Sequence, residues 1–329
     1  MIKFVSVLIL SIFIFTSLTG QDSTNCDLAI IDFDPGNALY NLEMEVDENS
    51  GLIYFDQLFW TINDSDGEPV VFGFNPTTGK LLKRIEISNG INVDWEDLCH
   101  DDKFMYVGDF GNNSGDRKDL KFYRLEKQKI QDVAFQELDA DIIHFSYEDQ
   151  HDFTPKFRKS DYDCEAVICN ESGIYVFTKD WIKRETKVYK IPKTPGDHVA
   201  KLVSTFNIDG LITAAGISPD ERYLAILGYK EFTPFMWVFS YNEKMNLQES
   251  HKIRINFPAI HRAQTEGLVF KNNDSLFISC EKSIEKTMIL FDNVIYPQQM
   301  FLIPVRIWED YFPLDLMEKN KNSLRINDE

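Results

Sequence analysis

The chain has 329 residues, 43% hydrophobic and 13% aromatic, enough apolar material for a substantial core and too much for general disorder. Its 53 acids outnumber 34 bases for a net charge of −19, and this excess leaves no basic patch with which to hold a phosphate backbone. Nucleic-acid binding is therefore excluded, and the balance suits an exported protein or one that binds cations.

At the N-terminus Lys3 precedes an apolar run over residues 4–15, and Thr16-Ser17-Leu18-Thr19-Gly20 leads to Gln21. That order of charge, apolar stretch and small-residue exit predicts a secretory signal over 1–20, with the product secreted or periplasmic. The run is shorter than the ~20 apolar residues of a spanning helix. No membrane span is expected after cleavage, although an uncleaved segment could stay embedded as an anchor. Residues 21–316 read as one domain and the polar stretch 317–329 as a tail. Five cysteines (Cys26, Cys99, Cys164, Cys169 and Cys280) are odd in number and lack the spacing of a zinc site or a small disulfide scaffold. Export permits a disulfide between neighbouring strands without indicating a pair.

A carboxylate followed by a small or polar residue and an aliphatic one recurs along the chain. Glu48 stands ahead of Asn49-Ser50-Gly51-Leu52, and later copies are Glu96-Asp97-Leu98, Glu165-Ala166-Val167 and Glu266-Gly267-Leu268. A copy without its acid reads Ala214-Ala215-Gly216-Ile217. After each copy come short runs rich in β-branched and aromatic residues. They fall at 52–55, 58–62, 70–74 and 81–87, then 104–107, 121–125 and 142–145, then 174–177, 188–191 and 202–206. The last two sets are 223–227, 236–239 and 253–255, and 276–279, 288–291 and 300–303. Such spacing predicts meandering strands, and their repetition predicts an all-β fold, a β-propeller with five recognisable four-stranded blades. Two more strand-like runs within 28–46 either close the ring on the last blade or belong to a sixth. Helical periodicity is confined to a short turn near 308–317.

In a propeller the first strand of each blade lines the channel, and the second returns to end beside its start. Glu48, Glu96, Glu165 and Glu266 are therefore expected at one rim, with Asn63, Asp64, Asp109, Lys179 and Glu281 from the ends of second strands. Like charges this close repel at low dielectric. A hard divalent cation with oxygen ligands, Ca²⁺ above all, would offset them, as would raised carboxylate pKa values. The plainer alternative is that the glutamates accept backbone N–H groups and lock blades together. Asp109-Phe110-Gly111-Asn112-Asn113 forms the densest local signature; Asp109 and Asn112 offer oxygen ligands, and Arg117 could pair with a carboxylate or hold an anion. The six histidines lack metal-ligand spacing, and the chain has no nucleophile elbow and no phosphate loop.

With Ser50-Gly51-Leu52, Trp60-Thr61-Ile62-Asn63-Asp64, Asp94-Trp95-Glu96-Asp97, Asp109-Phe110-Gly111-Asn112-Asn113, Thr178-Lys179 and Thr265-Glu266-Gly267, the chain resembles a family of exported bacterial β-propellers best represented in Bacteroidetes. More distantly it is similar to SdiA-regulated, phytase-like and gluconolactonase/paraoxonase propellers. The lactonase-like resemblance implies a channel calcium or other divalent ion on Glu, Asn and Asp ligands. Glu48, Asn63, Asp64, Glu96, Asp109, Asn112, Glu165 and Glu266 match in residue type, with Arg117, Lys179 and Glu281 as further rim residues. Two functions stay open. One is a monomeric propeller binding a small-molecule or protein ligand at the acidic mouth. The other is a metal-dependent hydrolase of lactones, esters or phosphoesters.

Overall fold

A computed structural model describes residues 28–286 and 293–313. The expected signal segment, the polar tail, Cys26 and the run at 288–291 lie outside them. The described chain is nearly all β and forms a five-bladed propeller.

The first blade consists of Asn49–Phe55, Leu58–Asn63, Val70–Phe74 and Leu81–Ile87. The second is Trp95–His100, Phe104–Asp109, Lys121–Glu126 and Asp141–Tyr147, and the third Asp163–Asn170, Gly173–Lys179, Glu185–Ile191 and Gly196–Asn207. Leu211–Ile217, Tyr223–Lys230, Thr233–Ser240 and Lys252–Asn256 make the fourth. The fifth takes Gln264–Asn272, Ser275–Glu281 and Gln299–Pro304 from the C-terminal part. Its outer strand is Tyr40–Asn41, paired through Tyr40 and Met300, so the ring is closed by strands from both ends of the chain. The other N-terminal run, Ala29–Asp32, lies parallel to Lys252–Asn256 on the outside of the fourth blade rather than in a sixth.

Two further pairings were not foreseen. Phe135–Leu138 lies parallel to Leu81–Ile87, and the first half of Gly196–Asn207 leaves its own blade to pair with Ile143–Tyr147 of the second. A hairpin of Ser283–Lys286 and Asn293–Tyr296 follows the second strand of the fifth blade. The short helix, Arg306–Glu309, begins two residues before the expected turn.

Five apolar clusters hold the ring together, each packed between one pair of adjacent blades. Trp60 and Trp95 fill the first interface, Tyr106 and Tyr189 the next, and Phe177 with Phe235 the third. A sheet covered on both faces needs apolar residues at successive positions, not alternate ones. That is why the inner strands read as continuous apolar runs, with Leu211–Ala215 and Ile174–Thr178 buried throughout. Among the described residues, no helix is long and apolar enough to cross a membrane.

Candidate functional site

Each inner strand carries a β-bulge near its start, between Ser50 and Ile53, Trp95 and Asp97, Cys164 and Ala166, Ile212 and Ala214, and Thr265 and Gly267. An inserted residue bends the strand and re-aims the side chain it carries. Glu96, Glu165, Thr213 and Glu266 are the residues displaced in four blades. The copy lacking an acid therefore has Thr213 at the equivalent place, donating to Thr265 O at 2.7 Å. In the first blade Gly51 sits there at φ +65°, where a Cβ would come within 2.6 Å of Asp97 Oδ1. Glu48 is three residues upstream and exposed, at the outer rim beside Asp64 and Glu281.

Asp64, Asp94 and Glu96 converge, with one carboxylate oxygen from each within 4.8 Å of the others. Asp94 was absent from the expected ligand set, although the Asp-X-Glu order at 94–96 carried the signal. Two residues before a bulged glutamate, an aspartate projects to the same mouth. Asn92 Nδ2 donates to Asn63 O at 3.0 Å and Asp64 O at 2.8 Å, fixing the first blade's rim against the second. Glu96 is 5% exposed, and its carboxylate makes no hydrogen bond or ion pair among the described residues. Burial pushes it well above the usual carboxylate range, with Glu165, Asp64 and Asp94 adding repulsion. Asp94 is pushed up to about 7 by burial and by Asp64 and Asp163, and Asp64 is raised by burial.

Gly111 faces this trio. A Cβ there would overlap Glu96 Oε1 and Asp94 Oδ2, so the backbone of the Asp109–Asn113 loop can close over both carboxylates only as glycine. Gly111→Ala is expected to force the two acids apart while the blades stay folded. A crystal structure of the variant checks the first half and its far-UV circular dichroism the second.

The remaining expected residues divide by role. Asp109 is fully buried and neutralised by Arg117 at 2.8 Å and Lys121 at 3.0 Å, and its Oδ1 also accepts the Asp94 N–H at 3.2 Å, so it positions the trio's backbone from behind an ion pair. Asn112 acts as a latch, accepting Arg117 N–H at 3.0 Å and donating to Tyr162 O at 3.3 Å. Asn63 Nδ2 donates to Glu45 O at 2.8 Å, while its Oδ1 is buried without a partner. Glu165 and Lys179 form an ion pair of 2.7 Å, both nearly inaccessible, and the ammonium also lies 4.9 Å from the Trp181 ring centre. Glu165 holds Lys179 charged, well above its ordinary range, against the opposing effect of burial. Asp163, which the spacing argument passed over, accepts Asn112 N–H and Trp181 Nε1–H, each at 2.8 Å. Burial and their neighbours push Glu266 up to about 8 and Glu281 up to about 9.

Around this cup stands a ring of exposed apolar side chains. Met44, Ile91, Phe157, Ile182 and Phe232 are 81, 67, 65, 63 and 64% exposed, the highest values among the described large apolar residues. All five lie on segments that join blades or link second to third strands, which the topology places at the mouth. The hairpin of the fifth blade adds Ile284 and Ile295, a cross-strand pair, both exposed. Scattered exposed apolar residues are ordinary, but these share the face on which the acidic cup opens. Below the cup Asp97 is buried, its oxygens accepting Leu98 N–H and Val167 N–H at 2.8 Å each. Beyond it the channel widens into a cavity of ≈ 450 Å³ lined by all five blades, including Leu52, Cys99, Cys169, Ala215 and Leu268.

No known family model matches the sequence, and no curated protein is recognisably similar to it. Among solved structures it is similar to the PQQ-bound aldose sugar dehydrogenase of Streptomyces coelicolor, at 10% identity and a TM-score of 0.41, covering 81% of this chain and 98% of that one. A candidate 6-phosphogluconolactonase from Bacteroides uniformis is 12% identical with a TM-score of 0.38, covering 75% and 70%. A chain of the nidogen/laminin complex is 8% identical with a TM-score of 0.39, covering 77% and 82%. At these scores the likenesses carry no function, and the assignment of a β-propeller rests on the chain's own sheets and closure.

Proposed function

We propose that this chain is an exported binding propeller that holds a divalent cation on Asp64, Asp94 and Glu96 and receives a ligand across the surrounding mouth. The observation that carries this reading is the Glu96 carboxylate, buried and without a hydrogen bond or ion pair, converging with two other acids. A buried carboxylate either finds a cation or takes up a proton at a cost. Three oxygen donors on two blades and a loop suit Ca²⁺, which tolerates irregular coordination better than Mg²⁺. The exposed apolar ring supports a protein ligand over a small one.

Calorimetric titration with Ca²⁺, Mn²⁺ and Mg²⁺ tests the site. One ion per chain is expected, with Ca²⁺ preferred and a stabilisation of about 2.7 kcal/mol when free ion stands at about 100 times Kd. Glu96→Gln is expected to weaken binding at least tenfold without unfolding the protein. Absence of heat and of any thermal shift with all three ions would remove the reading.

A second reading, a metal-dependent hydrolase of lactones, esters or phosphoesters, is favoured by Glu266 and Glu281. With pKa values near 8 and 9 they carry protons at neutral pH beside the cup, as a general acid must. Turnover of generic substrates that disappears in Glu96→Gln would select it; no turnover leaves the binding function alone.

A further inference from the structure

At the wide end of the channel, away from the acidic mouth, Cys99 and Cys169 project from neighbouring inner strands, Trp95–His100 of the second blade and Asp163–Asn170 of the third. Both side chains belong to the apolar cluster packed between those blades. Both are free thiols, close enough for each to act on the other's charge, and both line the 450 Å³ cavity. Their exposure differs, with Cys99 buried and Cys169 partly open to that cavity. Burial pushes the Cys99 thiol well above its ordinary range, Cys169 adds to the rise and Lys193 opposes it, so the more open Cys169 is the thiol that reacts first.

The other two described cysteines are placed differently. Cys164 is fully buried and directed at Ala166 O at 3.9 Å, and Cys280 is directed at Pro297 O at 3.6 Å. Neither has a second thiol beside it among the described residues. The pairing at 99 and 169 is thus a local arrangement and not a property of every cysteine in the fold. Sequence spacing could not reveal it, because the partners are 169 − 99 = 70 residues apart and meet only where two blades adjoin.

We propose that Cys99 and Cys169 form a reversible disulfide, a redox modification site that staples the second and third blades at the channel wall. The oxidant is a low-molecular-weight disulfide entering the cavity. Cys169, the more accessible thiol, loses its proton and attacks one sulfur of that disulfide, releasing one thiolate and leaving a mixed disulfide on Cys169. Cys99 then loses its proton and attacks Cys169 Sγ, releasing the second small thiolate. Two protein thiols are oxidised, one small disulfide is reduced to two thiols, and the protons pass to the released thiolates or to water. The staple closes a long loop and joins the strands that carry Glu96 and Glu165 at their opposite ends. Loop closure of this length restricts the unfolded chain strongly.

The test uses the full chain incubated with cystamine or with a reductant, then denatured, alkylated and mapped by mass spectrometry. Cystamine is expected to produce one intramolecular link between the peptides carrying Cys99 and Cys169, with Cys164 and Cys280 still alkylated. The melting temperature should rise by roughly 5–10 °C over the reduced protein and return on reduction. Cys99→Ser should stop at a mixed disulfide on Cys169, and Cys169→Ser should give no link and no shift. The wild-type peptide map carries the test even where a variant folds poorly. A mixed disulfide on Cys169 that persists in the wild type, a link through any other cysteine, or no reaction would each overturn the proposal.

Discussion

Lys179→Met is expected to destabilise the protein by about 3–5 kcal/mol, because it leaves the partner of a buried ion pair behind. Lys179 and Glu165 are 8% and 3% exposed as side chains, and their 2.7 Å contact is closed to solvent. Without the ammonium, Glu165 keeps Asp163 and Glu266 as neighbours and must be charged without compensation or protonated. The melting temperature should fall by roughly 6–12 °C. Glu165→Gln on top of Lys179→Met should recover most of the loss, because it removes the stranded charge; if the double variant is no better than the single, packing and not charge explains the effect.

The loss should also depend on pH, and its sign follows from the acids around the lysine. Glu266 and Glu281 have folded pKa values near 8 and 9, raised above the unfolded 4.5. The folded chain therefore holds more protons than the unfolded one between about pH 4.5 and 9, and its stability falls as pH rises through that window. Lys179 lowers both values, so its removal should cost most above pH 9, where the acids are ionised. Toward pH 5, where they are neutral, the variant should approach the wild type. Urea denaturation at pH 5, 7 and 9 resolves the trend.

Asp97→Ala is expected to cost about as much, by a different route. The carboxylate is 2% exposed and accepts Leu98 N–H and Val167 N–H, with Ala215 N–H as a third donor. One side chain thus ties the second blade to the third and fourth. Alanine leaves buried amides without acceptors, each at about 1–3 kcal/mol. Asp97→Asn, which keeps one oxygen, should lose less. Amide hydrogen exchange locates the effect: the Val167 amide should exchange faster in Asp97→Ala than in the wild type. Unchanged protection at Val167 would show that the bond does not hold the blades together.

The blade pattern was legible because both faces of each inner sheet are covered, which demands apolar residues at successive positions and makes each run recognisable by itself. The partners of the N-terminal strands were not, since Tyr40 and Met300 lie 260 positions apart and no local preference records such a pairing. Within the site, Glu96, Asp64, Glu165, Glu266 and Lys179 were brought to one mouth by strand counting alone. Asp109 satisfies the same count, but Arg117 and Lys121 engage it, and those contacts depend on how the Asp109–Asn113 loop folds back. Asp94 joins Glu96 because a bulge re-aims the strand. Glu48 stays at the outer rim because the bulge in its own blade falls three residues later.

Period and hydrophobicity by themselves determined that this chain builds repeated four-stranded blades with acids at the start of the inner strands, because each blade is a local unit whose strands are neighbours in sequence. Which acids meet, which are neutralised, which thiols touch and how the ring closes were decided only by the tertiary structure. Those outcomes depend on bulges, loop paths and contacts between blades, where residues distant in sequence share one low-dielectric space and charge and hydrogen bonding select among them.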